Sequence, residues 1–188
     1  MSTTLTFTDQ KLLESAVVDA EGTVQYTTTT TSGFRGRKIT TIMAASGPVG
    51  VMNWRQKTFT INGVHREWEY LKSRSGGIFS SEREWKWDHR HYKLKYHDSQ
   101  KELLATPNFA NAAGTVRFTT YRSHLFHDNK RAAIYFPSQM EDETEKMFLL
   151  MAILQTEIRR QDRARNARNN AAASSAMASS AVATSGPC

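Results

Sequence analysis

Cysteine occurs once in the 188 residues, at the last position, Cys188. A single thiol makes no intrachain disulfide and no cysteine-based metal centre, and prenylation needs its cysteine fourth from the end. Long apolar runs are missing as well. A membrane helix takes roughly 20 apolar residues, whereas the run from Met147 to Leu154 stops between Glu141-Asp142-Glu143 and Arg159-Arg160. Residues 1–10 hold no charged segment followed by an apolar one, so no secretory signal is expected. These absences predict a soluble, intracellular and cytoplasmic protein that does not span a membrane. Catalytic signatures are equally scarce. There is no Gly-x-Ser-x-Gly elbow, and Gly33 to Gly36 lacks any recognised phosphate-loop spacing. Glu82, Glu84 and Asp88 are interleaved with lysine and arginine, as on a solvated face. No catalytic residue and no cofactor site is nominated, and a non-enzymatic domain is expected.

What is present begins with one strong helical signal. Met147, Leu150, Met151, Leu154 and Ile158 recur at helical spacing, while Phe148, Leu149, Ala152 and Ile153 fill the other faces. For two turns the helix is apolar all round, and such a helix has to be enclosed. Pro137 ends the preceding strand, Ser138 suits an N-cap, and Glu141 three residues on completes a capping box. The spacing predicts a helix from about Gln139 to about Arg165. Arg159, Arg160, Arg163, Arg165 and Arg168 then crowd its last turns, where cations suit the dipole.

Upstream the pattern is that of strands. Residues 3–8, 15–19 and 23–30 alternate or are rich in β-branched side chains. Asn62-Gly63 is a hairpin turn signal, and Glu84-Trp85-Lys86-Trp87 with His91 to Tyr96 forms a second alternating pair around Asp88-His89-Arg90. Residues 115–121 and 132–136 complete about twelve short strands, and within the strand read over 64–71 the stretch Glu67 to Lys72 is alternatively a single helical turn. Past Arg168 the chain is rich in alanine and serine, uncharged and without aromatics. That composition predicts a disordered tail over 169–188 behind a single domain over 1–168.

Many strands and one all-round apolar helix leave few packings. A closed antiparallel barrel of about twelve strands with the helix along its axis buries every helix face and removes the sheet edges. The N-terminal Leu5-Thr6-Phe7-Thr8-Asp9, the Arg83-Glu84-Trp85-Lys86-Trp87 to Tyr92-Lys93-Leu94 hairpin, and the ending Ala133-Ile134-Tyr135-Phe136-Pro137 before the apolar helix carry a resemblance. Over residues 1–168 the chain resembles the barrel-plus-central-helix fold of tubby C-terminal, LURP-one-related and phospholipid scramblase domains. More closely, it resembles a fungal, mostly basidiomycete, family of uncharacterised domains assigned to that group. The resemblance implies the fold and little chemistry. Tubby domains bind phosphoinositide head groups through basic surface residues, but no such position maps onto this chain.

Six histidines raise the question of a metal, yet His89 with His91, and His124 with His127, have no recognised ligand spacing. No metal site is expected. The charge is more informative. Of the net +7, the arginine run less Asp162 supplies +4 and the rest of the chain only +3. Arg35, Arg37 and Lys38 form a basic turn, and Lys86, Lys93 and Lys95 face away from Trp85, Trp87, Tyr92, Leu94 and Tyr96 by strand alternation. With the arginine run, these are the candidate anion contacts. The expected function is binding without catalysis, through peripheral association with anionic phospholipid or with a protein partner. The alternative is nucleic-acid binding, with the Trp/Tyr/Lys hairpin as a stacking platform.

Overall fold

The computed structural model describes residues 2–34, 36–74, 82–109, 114–121 and 130–182. The chain divides into two compact units, Met1–Leu154 and Gln155–Cys188. In the first, β1 (Thr3–Phe7), β2 (Ala16–Val18), β3 (Val24–Gly33) and β4 (Gly36–Ala44) follow one another. Next come β5 (Val49–Asn53), β6 (Thr58–Ile61) and β7 (Val64–Glu67). A four-residue helix, α1 (Trp68–Leu71), leads to β8 (Lys72–Arg74). The series ends with β9 (Arg83–Trp87), β10 (Arg90–His97), β11 (Glu102–Pro107), β12 (Val116–Thr119) and β13 (Ala133–Phe136).

Among the described residues the strands make one thirteen-stranded sheet, ordered β7-β6-β5-β4-β3-β2-β1-β13-β12-β11-β10-β9-β8. Every pairing is antiparallel. Local turn chemistry sets most of it. Asn62 and Gly63 both adopt positive φ, 49° and 83°, as a two-residue hairpin loop between β6 and β7 demands. The single non-local ladder joins β1 to β13, with Leu5 opposite Ile134.

The mainly β chain with one C-terminal helix is as expected, and thirteen strands among the described residues fit the expected count of about twelve. No ladder among them, however, joins the outermost two, β7 and β8. The parity of the sheet supplies the reason. Direction alternates along the order, so with an odd number of strands β7 and β8 run the same way. A parallel ladder needs a crossover of about a dozen residues, and only α1 lies between them. The two ends of the sheet meet through side chains instead. Phe59 of β6 stacks on Trp85 of β9 at 5.6 Å, and Trp68 of α1 packs edge-on against Phe59 and Trp54. Arg66 of β7 lies 4.9 Å from the centre of the Trp87 ring and pairs with Asp88 in the β9–β10 turn.

The curled sheet encloses the start of α2 (Glu143–Val182). Every residue from Met147 to Leu154 is fully buried, as an all-round apolar helix requires. Phe148 meets Trp85 and Trp87 from one wing of the sheet, at 6.4 and 5.6 Å. On the other wing β5 approaches so closely that a Cβ on Gly50 would lie 2.7 Å from the Met147 sulfur and 2.8 Å from that of Met151.

The helix starts later than its sequence suggests. Pro137 to Met140 form a turn, with the Met140 N–H donating to the Pro137 carbonyl. Asp142, rather than Ser138, is the cap: its Oδ1 accepts from the N–H groups of Thr144 (2.8 Å) and Glu145 (3.2 Å). Arg90 pairs with Asp142 and reaches Glu145, which also accepts from the Tyr92 hydroxyl. Tyr26 and Ser46 donate to Glu143, so both wings of the sheet grip the first helical turn.

In the second unit α2 continues to Val182, so the stretch expected to be disordered from residue 169 is helical that far. Alanine has the highest helix propensity of all residues, which favours continuation through this tract. The arginine run consequently lies mid-helix, and no basic residue occupies the last turn. The dipole argument for it therefore falls. Residues 183–188, including Cys188, lie outside the described residues.

Two stability measurements check this account. Gly50→Val is expected to cost about 1–3 kcal/mol in denaturant unfolding, because the added methyls push into packed methionines. Burial raises the Asp142 carboxyl, but the Arg90 hydrogen bond and the N–H groups of Glu145 and Thr144 outweigh it and leave the pKa below its ordinary value of 3.8. Its stabilisation is therefore complete above pH about 4 and disappears as pH falls through the lower, folded-state value. Asp142→Asn keeps a good cap but loses the charge, so it should lower the Tm at pH 7. That deficit should shrink as both proteins are taken to acid pH.

Candidate membrane-facing hairpin tip

Between Glu21 and Glu67 there is no acidic residue, while Arg35, Arg37, Lys38, Arg55, Lys57 and Arg66 all fall in that interval. The body is thus less balanced than its overall charge implies. β3 and β4, the two longest strands, lie within this stretch. Their ladder runs on to Ser32↔Arg37 and Gly33↔Gly36, past the last rungs with β2 (Ala16↔Thr27) and β5 (Ile39↔Asn53). The hairpin end consequently projects beyond both neighbouring strands.

At that end Phe34 is wholly exposed, at 104% of its reference surface. Nothing in the fold uses its ring. Cations lie on this turn and on the neighbouring β5–β6 turn. Lys38, Arg55 and Lys57 are exposed, and none of the three is ion-paired with a described residue. Arg55 comes close to the tip, its Nη2 lying 3.2 Å from where a Cβ on Gly33 would sit. Arg37 covers the Trp54 ring at 5.4 Å.

The support beneath is firm. The indole N–H of Trp54 donates to Thr40 at 2.8 Å, and its backbone N–H donates to the Lys38 carbonyl at 3.1 Å. Asn53 accepts from the N–H groups of Arg55 and Gln56, folding the β5–β6 turn against the hairpin. The two adjoining turns thus present one exposed apolar ring, with Arg55 beside the hairpin end and Lys38 and Lys57 exposed on the same turns.

The other expected contacts are dispersed. Arg35 lies outside the described residues. Lys86, Lys93 and Lys95 point outward from β9 and β10, as strand alternation predicts, while Trp85, Trp87, Tyr92 and Leu94 are buried. Glu84 sits opposite Lys93 in the ladder. In the second unit Arg160 makes a bidentate pair with Glu157, both contacts at 2.8 Å, and so is partly neutralised. Arg163, Arg165 and Arg168 are exposed, and Arg159 is half-buried.

Among the histidines, His91 faces Glu84 at 3.5 Å and His89 is exposed in the β9–β10 turn. His124 and His127 fall outside the described residues. Among the described residues no three His, Cys, Asp or Glu side chains converge as metal ligands would. A cleft of about 570 Å³ at the β7/α1/β9 seam is lined by His65, Arg66, Glu67, Lys86 and Asp88, whose formal charges cancel. No helix among the described residues is long and apolar enough to cross a membrane. No protein family, curated protein or solved structure compared with the chain matches it.

Lys57, Arg55, Trp54 and Phe34 were not among the contacts expected from sequence. The acid-free interval and a phenylalanine set between two turn glycines were the signals that could have found them. If Phe34 serves no structural purpose, Phe34→Ser should leave stability within about 0.5 kcal/mol of the parent. Trp54→Ala, by contrast, removes a half-buried hydrogen bond and two ring contacts and should lower the Tm measurably.

Proposed function

We propose that this chain is a non-catalytic domain that associates peripherally with anionic phospholipid, with the β3–β4 tip as its leading contact. The observation that carries the reading is Phe34, a wholly exposed aromatic ring on the same two turns as Lys38, Arg55 and Lys57, which have no ion pair with a described residue. Burying a phenylalanine contributes about 1.5–3 kcal/mol, and each cation near an anionic surface contributes about 1 kcal/mol. Phe34 with Lys38, Arg55 and Lys57 then supplies on the order of 5 kcal/mol. That corresponds to reversible binding in the sub-millimolar range rather than permanent anchoring. In this reading the curled sheet serves as a barrel around the helix, in keeping with the resemblance to tubby C-terminal and scramblase-type domains. A rigid holder for an exposed tip is what such a fold provides. Nucleic-acid binding by the Trp/Tyr hairpin is less well supported, because Trp85, Trp87 and Tyr92 are buried and offer no ring for stacking.

Vesicle co-sedimentation tests the proposal, using phosphatidylcholine alone and with phosphatidylserine or a phosphoinositide. The full chain should bind only the anionic vesicles. Phe34→Ser should weaken binding by at least about tenfold, and Lys38→Ser with Arg55→Ser by about thirtyfold. A truncation after Ile158 measures the share of the arginine run. Binding that is absent, or that ignores the tip substitutions, would overturn the reading.

A further inference from the structure

A second concavity lies on other strands, on the outer face of β1, β13, β12 and β11. It encloses about 550 Å³, within the range of small-molecule sites. The ladders explain its shape. One row across the sheet runs Thr4, Tyr135, Arg117, and the next runs Thr6, Ala133, Thr119, Glu102. Ala133 is the small side chain of its row, flanked by longer ones, so the sheet face is hollow there. Lys130 and Arg131 stand at one side, held where the Phe7 N–H donates to the Ala132 carbonyl at 2.9 Å.

The lining is rich in donors. Arg117, Lys130 and Arg131 have no ion pair with any described residue, and the hydroxyls of Thr4, Thr6 and Tyr135 have no hydrogen-bond partner among them. Arg117 is held in place by the Tyr135 ring, 4.3 Å from its centre. Against three cations there is one carboxylate, Glu102. Three cations lining one cleft, with hydroxyls that have no partner among the described residues, match a compact dianion, since charge-assisted hydrogen bonds to phosphate are the strongest available. Glu102 at the far side suits a hydroxyl donor on the same ligand.

We infer that this cleft binds a phosphate monoester of a small polyol, with Arg117, Lys130 and Arg131 on the phosphate, Thr4 and Thr6 beside it, and Glu102 on a hydroxyl. The monoester is supplied either by a soluble compound or by a lipid head group. The inference does not rest on the membrane reading, because it uses none of the tip residues.

Calorimetric titration of the full chain with glycerol 3-phosphate tests the soluble source, with glycerol as the control. Vesicles of phosphatidylcholine with phosphatidic acid, applied to the Phe34→Ser protein, test the head-group source. Saturable binding in either arm should fall at least about tenfold in Arg117→Gln/Arg131→Gln, as loss of a hydrogen bond to a charged group predicts. Thr6→Val should weaken it less, with its fold checked by circular dichroism. Such a result in one arm identifies the source and supports the site. Binding in neither arm, glycerol binding as well as its phosphate, or binding that persists in the arginine variant would overturn it.

Discussion

An eight-residue stretch of helix with no polar face cannot stay in water, and the molecule is arranged around that demand. Met147 to Leu154 are buried on every side, and one flat layer would leave half of them wet. The sheet therefore has to curl. Its inward positions carry the bulk that fills the remaining space: Phe7, Phe59, Trp85, Tyr92 and Phe118. Where the helix passes closest to a strand the side chain shrinks to nothing, at Gly50. At the entrance the helix's first turn is held by polar contacts, Asp142, Glu143 and Glu145 being met by Arg90, Tyr26 and Tyr92.

Curling brings the two ends of an odd-stranded sheet together in an orientation that ordinary hairpin pairing cannot use. The free edges are short, β7 with four residues and β8 with three, and carry His65, Arg66, Lys72 and Arg74. Short charged edges resist pairing with other chains. The seam is then covered from within by aromatic rings and from outside by an ion pair, so the enclosure does not depend on a continuous ring of hydrogen bonds.

Much of this was legible in the chain. The apolar helix, the alternating Trp85/Trp87 and Tyr92/Leu94 faces and the Asn62-Gly63 turn follow from local periodicity and turn chemistry. The helix start was not, because two acceptable caps lie four residues apart. Ser138 has the box motif, but Asp142 has Arg90 waiting across the sheet, a partner that no local pattern reveals. The open seam depends on counting strands correctly, and one strand more or fewer reverses the outcome. The tip was half legible: Arg37 and Lys38 stand out in sequence, whereas Arg55 joins them only through the β4–β5 ladder.

The β1–β13 ladder sets the order in which the molecule can be completed during synthesis. β1 is made well before one of its two partners, Ala133–Phe136, and the core helix comes later still. The first seven strands can form as successive hairpins, but they have neither their helix nor their closing partner until β13 and α2 have been made. Such late, long-range closure slows folding. A nascent half-sheet with an apolar inner face and an unpaired β1 edge is the species most exposed to aggregation, and a molecular chaperone would find its substrate there.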